Sequence, residues 1–255
     1  VDVKKMEPFP PEVERWLDTV PEGTPVVYVS FGTVVRLAPE RVAAVVATLT
    51  TQEYHVLWAL PKPQQAGLPR EMPATFMVHH WIPTARALAH PKVAAFVSHC
   101  GGNSATESMA LGVPLIGYPQ FGDQPAVCQR IADAGTGVTG AVGGWVQAAD
   151  VQEVLRNASY AAKAQSVARL FKNFGGVSKA ADLLELGAQG DLAVMRTPPE
   201  QSFTAFAQLF GYDLMALGVL AVHLGVLLFS RCCRCFFRRC CKRHPAGLDR
   251  AKKTR

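Results

Sequence analysis

The densest group of chemistry-bearing residues lies between Phe96 and Gln124, "FVSHCGGNSATESMALGVPLIGYPQFGDQ". An apolar run, Ala94–Val97, stops at Ser98-His99-Cys100, and Gly101-Gly102 then lead into a polar segment with helical character. A helix that starts at the carboxyl end of a strand offers unpaired N–H groups and the positive end of its dipole, which suits phosphate. Gly101 and Gly102 carry no side chain to hold a diphosphate away. Asn103 and Ser104 fall at the helix start, and His99 adds a donor. Glu107 lies one turn beyond Asn103 on the same face. A carboxylate there repels phosphate but can accept hydrogen bonds from two hydroxyls of a ribose. The same residues would also serve as an N-cap Asn with a first-turn Glu complementing the dipole. Asp123-Gln124, after the next strand, suits a polyhydroxylated sugar, or equally a helix cap.

Two further places fit this chemistry. Ser30-Phe31-Gly32-Thr33 repeats the strand-then-glycine arrangement at the first strand. Trp81, in "HHWIPT", follows a strand and precedes Pro83, where an aromatic could stack a base or simply fill the core. His79 and His80 are strand-end residues without an assigned role. No Asp-x-Asp pair occurs, so the usual carboxylate clamp for Mg²⁺ on a nucleoside diphosphate is missing. No metal is expected, and neutral donors with the helix dipole must hold the charge.

These residues need a scaffold, and the hydrophobic pattern supplies one. Strands are predicted at Pro25–Phe31, "HVLWAL", "ATFMVHHW", Ala94–Ser98 and Pro114–Gly117. Helices are predicted near Glu12–Asp18, at Pro39–Thr51, Pro83–Ala89, Asn103–Leu111 and Gln124–Ala134, and over most of Asp150–Leu186. Continuous apolar strands alternating with amphipathic helices argue for an α/β fold with a parallel sheet covered on both faces. No internal repeat is present.

Charge and cysteine are both concentrated at the end of the chain. The formal charge is +6, but residues 231–255 hold ten Lys/Arg and one Asp, leaving sixteen basic and nineteen acidic residues elsewhere. The globular part is mildly acidic, which argues against nucleic acid as a partner. Five of the seven cysteines lie in that tail, and Cys100 and Cys128 alone do not suggest a disulfide framework. Just before the tail, Leu214–Phe229 holds 16 residues with one polar member, His223. Extended slightly, it approaches the ~20 residues that span a bilayer. The Arg-rich flank would then lie in the cytosol and the folded part in a lumen. The triplet Asn157-Ala158-Ser159 suits a lumenal site. No apolar leader precedes "VDVKKMEPFPP", so the chain is expected to be the C-terminal part of a longer protein. The expected organisation is a linker with a lead-in helix over 1–24, an α/β domain over 25–190, a connecting segment over 191–211, a transmembrane helix over 212–230 and a basic Cys-rich tail over 231–255. The tail cysteines could be palmitoylated or remain reduced.

The order of the motif residues resembles the UDP-glycosyltransferase family, which includes the animal glucuronosyltransferases. The resemblance rests on "HCGGNSATESMALGVPLIGYPQFGDQ", with its His-x-Gly-x-Asn core, Glu, Pro and closing Asp-Gln. It extends through "VVYVSFGT", "HVLWAL", "WIPT" and "LAHPKVAAFVSHCGG" over about residues 10–190. It implies the C-terminal, donor-binding half of a GT-B glycosyltransferase, with a Rossmann-like sheet, followed here by one membrane helix. By this resemblance Trp81 stacks uracil and the backbone at Ile82 bonds its edge. His99, Asn103 and Ser104 hold the diphosphate, helped by Ser30, Gly32 and Thr33. Glu107 binds the ribose, and Asp123 and Gln124 bind the sugar. Thr84 stands where the family usually has a longer Gln. The resemblance further implies inverting transfer of a hexose or hexuronic acid from a UDP-sugar to a small lipophilic acceptor. The acceptor pocket and general base belong to an N-terminal half that this chain does not match, so no residue here is assigned as catalytic. A single span with a tail ending "KKTR" is similar to endoplasmic-reticulum members of the family. The alternatives are a UDP-sugar-binding subunit that completes a site with another chain, and a membrane scaffold without ligand.

Overall fold

The computed structural model describes residues 6–190, 216–224, 226, 227 and 229. The connecting segment 191–211, residues 212–215, 225, 228 and 230 of the expected membrane helix, and the tail 231–255 lie outside the described residues. Two compact units divide the chain, Val1–Leu184 and Glu185–Arg255.

The first unit opens with α1 (Pro11–Thr19), which Pro11 starts in the place where a missing N–H costs nothing. Then follow β1 (Val26–Ser30), α2 (Pro39–Leu49), β2 (His55–Ala59), a 3₁₀ segment at Lys62–Gly67 and β3 (Phe76–His79). The chain continues with α3 (Thr84–Leu88), β4 (Val93–Ser98), α4 (Gly102–Leu111), β5 (Leu115–Gly117), α5 (Gln124–Asp133) and β6 (Gly137–Thr139). Next come α6 (Ala148–Arg156), α7 (Ala158–Asn173) and α8 (Gly176–Ala188).

The six strands are all parallel, in the order β3-β2-β1-β4-β5-β6. Side chains alternate between two cores. Val27 and Val29 of β1 face the side covered by α2 and α6, with Trp58, Val97 and Ile116. Val26 and Tyr28 face the side covered by α1, α3, α4 and α5, with Leu57, Phe96 and Leu115. Burying each such aliphatic or aromatic side chain contributes about 1.5–3 kcal/mol, which is why the strands carry almost no polar residues. Chain order reverses between β1 and β4. In a doubly wound sheet the crevice at that switch point, beyond the carboxyl ends of the strands, is where a ligand sits.

Two features depart from the sequence reading. Strand β6 was not expected, because three residues inside "GTGVTGAVGG" carry too little apolar signal. Gly137 within it lies so close to the Leu115 carbonyl that no side chain fits between the strands. The second is a correction. Cys100 and Cys128 form a disulfide, with Cα atoms 5.5 Å apart and a separation of 28 residues. The loop after β4 and the helix α5 meet over Gly117 of β5, where a Cβ would come within 2.5 Å of the Cys100 sulfur. The glycine clears the space the bridge occupies, a tertiary fact with no local sequence sign.

In the second unit, residues 216–224 are helical, and Leu217, Val219, Leu220, Val222 and Leu224 are all exposed. Among the described residues no helix is long and apolar enough to cross a membrane.

Candidate functional site

A cleft of ≈ 730 Å³ opens at the switch point and collects thirteen of the fourteen residues singled out from the sequence. Ser30, Gly32 and Thr33 come from the end of β1, and Trp81, Ile82 and Thr84 from the β3–α3 junction. His99, Gly101, Gly102, Asn103, Ser104 and Glu107 come from the β4–α4 junction and the first turns of α4, and Asp123 from the start of α5. Gln124 is placed otherwise. Its side chain is buried, and its Oε1 accepts the Gln120 and Phe121 N–H groups at 2.8 and 3.2 Å, closing its own loop.

The β4–α4 junction leaves backbone donors open toward the cleft. Cys100 adopts a positive φ of 61°, which turns the chain sharply out of β4. Its N–H donates to Ser98 Oγ at 3.2 Å. Gly101 is the N-cap of α4, and no side-chain cap is present. The first intrahelical bond runs from the Ala105 N–H to the Gly101 carbonyl at 2.9 Å. The N–H groups of Gly102, Asn103 and Ser104 precede it and have no intrahelical acceptor. Asn103 is exposed, and beside it a Cβ on Gly102 would meet nothing within 4 Å.

His99 is held between two glycines. A Cβ on Gly32 would come within 2.8 Å of His99 Cε1, and one on Gly101 within 2.5 Å of Nε2. Gly32 also has φ +70°, a conformation side chains rarely adopt. The structure thus gives these glycines a use the sequence did not show: they seat the imidazole, while Gly102 remains the open position. Burial pushes the His99 pKa down, opposed by the Ser30 backbone and the Asp123 carboxylate, so the ring is disposed to be a neutral donor or acceptor. Glu107 is half-buried, and desolvation raises its pKa. A partly desolvated carboxylate seeks hydrogen-bond donors, which vicinal hydroxyls provide.

Trp81 is 52% exposed, so it is not a core tryptophan. Ile82 is buried and accepts the Tyr28 hydroxyl on its carbonyl at 3.4 Å. Tyr28 also lies 3.2 Å from Thr84 Oγ1. The short Thr84 side chain is therefore engaged with the sheet beneath the cleft. Burial raises the Tyr28 pKa to about 12, so its hydroxyl keeps its proton. Met6, Glu7, His80 and Arg86 also line the cleft and were not anticipated. Tyr28 was detectable in principle, as a hydroxyl-bearing residue in the middle of the apolar strand β1. Among the described residues no group of three or more His, Cys, Asp or Glu is placed to hold a metal ion.

Burial also lowers the pKa values of His55 and His90, with Lys92 reinforcing both. The folded protein binds fewer protons than the unfolded chain between those lowered values and the ordinary 6.5. Stability therefore rises with pH through that interval and falls on acidification. Glu107 has the opposite sign: its raised pKa stabilises the fold below 4.5, and that contribution is lost as pH rises through the raised value. Desolvation lowers His80 as well, so with four histidines against the one raised carboxylate the thermal midpoint is expected to drop as pH falls below about 6.5. A midpoint that climbs over that range would contradict the buried-neutral state of the histidines.

The comparisons agree with this geometry. The family model described as "UDP-glucoronosyl and UDP-glucosyl transferase" matches residues 1–245. A limonoid UDP-glucosyltransferase from Citrus unshiu is 41% identical over 134 residues, which cover 49% of this chain and 26% of that protein. An anthocyanidin 3-O-glucosyltransferase from Gentiana triflora is 38% identical over 144 residues, covering 52% of this chain and 32% of that one. The crystal structure of a UDP-glucose:anthocyanidin 3-O-glucosyltransferase in complex with UDP superimposes with a TM-score of 0.60 at 30% identity, covering 71% of this chain and 43% of that chain. The chain thus spans about a third or less of these curated relatives, and its parallel six-stranded sheet has GT-B glycosyltransferases as structural neighbours. By sequence and by fold, this chain belongs to the UDP-glucuronosyl and UDP-glucosyl transferase family.

Proposed function

We propose that the chain is the donor-binding domain of a UDP-glycosyltransferase that passes a hexose or hexuronic acid to an acceptor hydroxyl with inversion. The observation that carries this reading is the uncapped start of α4, open to the switch-point cleft between an exposed Trp81 and the half-buried Glu107. Trp81 stacks the uracil, Glu107 accepts from the ribose hydroxyls, and the N–H groups at Gly102–Ser104 face the diphosphate. Asp123 faces the transferred sugar. A relative named for UDP-glucosyl transfer and a neighbour solved with UDP both support it.

The acceptor oxygen attacks the anomeric carbon from the side opposite the diphosphate. The bond from that carbon to the phosphate oxygen breaks, and UDP departs with the electron pair. Its growing negative charge meets donors already oriented at the α4 N-terminus, so little reorganisation is required. The acceptor's proton passes to a base in a second, N-terminal half, which also forms a pocket for a small lipophilic acceptor. No metal ion is required for donor binding in this account.

The reading is tested by titrating UDP calorimetrically into the full chain and its Glu107→Ala variant. Loss of the ribose hydrogen bonds should weaken binding by about 1–3 kcal/mol. Unchanged affinity in a folded variant would remove Glu107 from the site.

We infer further that Leu214–Phe229 anchors the chain in a membrane, with the folded unit in an oxidising lumen, as in the endoplasmic reticulum, and the tail cytosolic. The support is its near-continuous apolar sequence, the Arg-rich flank, the Cys100–Cys128 disulfide and the exposed Asn157 of the Asn-Ala-Ser triplet. Retention in the membrane pellet after alkaline extraction, with the folded unit protected from added protease, is the expected result. Release into the supernatant would exclude the anchor.

A further inference from the structure

Trp81 lies in the stretch between β3 and α3, outside regular secondary structure. Among the described backbone–backbone hydrogen bonds none reaches it. Its backbone is instead met by a side chain two residues earlier. His79 Nδ1 lies 2.5 Å from the Trp81 carbonyl oxygen and 3.3 Å from the Trp81 nitrogen. The other ring nitrogen, Nε2, is 3.0 Å from Glu12 Oε1 on α1. That carboxylate is an acceptor, so Nε2 carries a proton and donates to it. Nδ1 meets the Trp81 peptide at both its carbonyl oxygen and its nitrogen, so the imidazole holds that peptide while Glu12 holds the imidazole.

We propose that His79 is the positioning residue for the Trp81 platform, held from the far side by Glu12 of α1. The proposal rests on the reading of Trp81 as the surface that stacks uracil. An exposed indole on an irregular segment has many orientations open to it, and holding its backbone limits the entropy lost when the base stacks. The ring of His80 lies 4.3 Å from that of His79 and lines the cleft beside Trp81. The clamp therefore joins α1 directly to the nucleoside end of the cleft.

Side-chain isosteres separate this role from a merely structural one. The amide of Asn occupies roughly the place of His Nδ1, whereas that of Gln reaches roughly the place of Nε2. UDP is titrated into the full chain and into His79→Asn, His79→Gln and Trp81→Ala, with thermal midpoints measured alongside. His79→Asn should bind UDP within about twofold of the parent, and His79→Gln about tenfold more weakly, although it keeps the contact to Glu12. The reverse order, equal losses or no loss in either variant would overturn the proposal. If His79→Gln fails to fold, Glu12→Ala takes its place, expected about threefold weaker, and an unchanged affinity there also overturns it. The Trp81→Ala arm distinguishes the two levels of inference. Unaltered UDP binding in Trp81→Ala removes the nucleobase reading and this proposal with it. A large loss in Trp81→Ala beside parent-like His79→Gln removes the positioning role alone.

Discussion

Gly101→Ala is expected to abolish most UDP binding, by about a hundredfold, and to lower stability by about 1–3 kcal/mol. The added methyl would sit 2.5 Å from His99 Nε2 and 2.9 Å from Cε1. The imidazole cannot retreat easily, because Gly32 closes its other side and the residue is buried. Either His99 is driven into the cleft or the α4 N-terminus shifts away from it. Both displace the donors proposed to meet a diphosphate, and losing one or two charge-assisted hydrogen bonds of about 1.5–3 kcal/mol each corresponds to about a hundredfold in affinity. Gly102→Ala provides the contrast. No atom lies within 4 Å of its added Cβ, so the fold should hold its thermal midpoint. UDP affinity should still fall, because the methyl occupies space assigned to the phosphate. Parent-like UDP binding by Gly101→Ala would show that the His99 seat is irrelevant to the ligand.

Removing the disulfide is the second large effect. Closing a loop of the size set by its 28-residue separation stabilises a fold by about 3–4 kcal/mol in the chain-entropy description. Cys100→Ser, Cys128→Ser or complete reduction should lower the denaturant midpoint accordingly. The consequence also reaches the site. Cys100 lies between His99 and Gly101 with φ 61°, a conformation that costs a residue other than glycine about 1–2 kcal/mol. The bridge ties this turn to α5, whose N-cap Asp123 faces the cleft. Reduction is therefore expected to weaken UDP binding as well as stability. Identical urea transitions with and without reductant would show that the bridge contributes nothing.

The sequence showed the fold where patterns are local, and fell short where they are not. Continuous apolar runs such as "VVYVSF" identified buried parallel strands, and the alternation with helices led to the doubly wound sheet. Strand β6 was missed because an edge strand of three residues, two glycines away from its neighbours in pattern, is held by pairing with β5 rather than by its own composition. The shared cleft was legible because its lining residues stand on strand-to-helix junctions, so local spacing already placed them at one end of the sheet. What the sequence could not show is how those residues support one another. The seating of His99 between Gly32 and Gly101 joins positions far apart in the chain. So do the Tyr28 hydroxyl beneath Ile82 and Thr84 and the path from Glu12 through His79 to Trp81. Gln124 shows the converse: a motif residue whose buried side chain is engaged by its own loop.

The decisive experiment is a crystal structure of the chain soaked with UDP in the presence of a chelator. Diphosphate oxygens are expected within hydrogen-bond distance of the Gly102–Ser104 N–H groups, with uracil stacked on Trp81 and ribose hydroxyls on Glu107. A nucleotide bound elsewhere, or no bound nucleotide until a divalent cation is restored, would contradict that expectation.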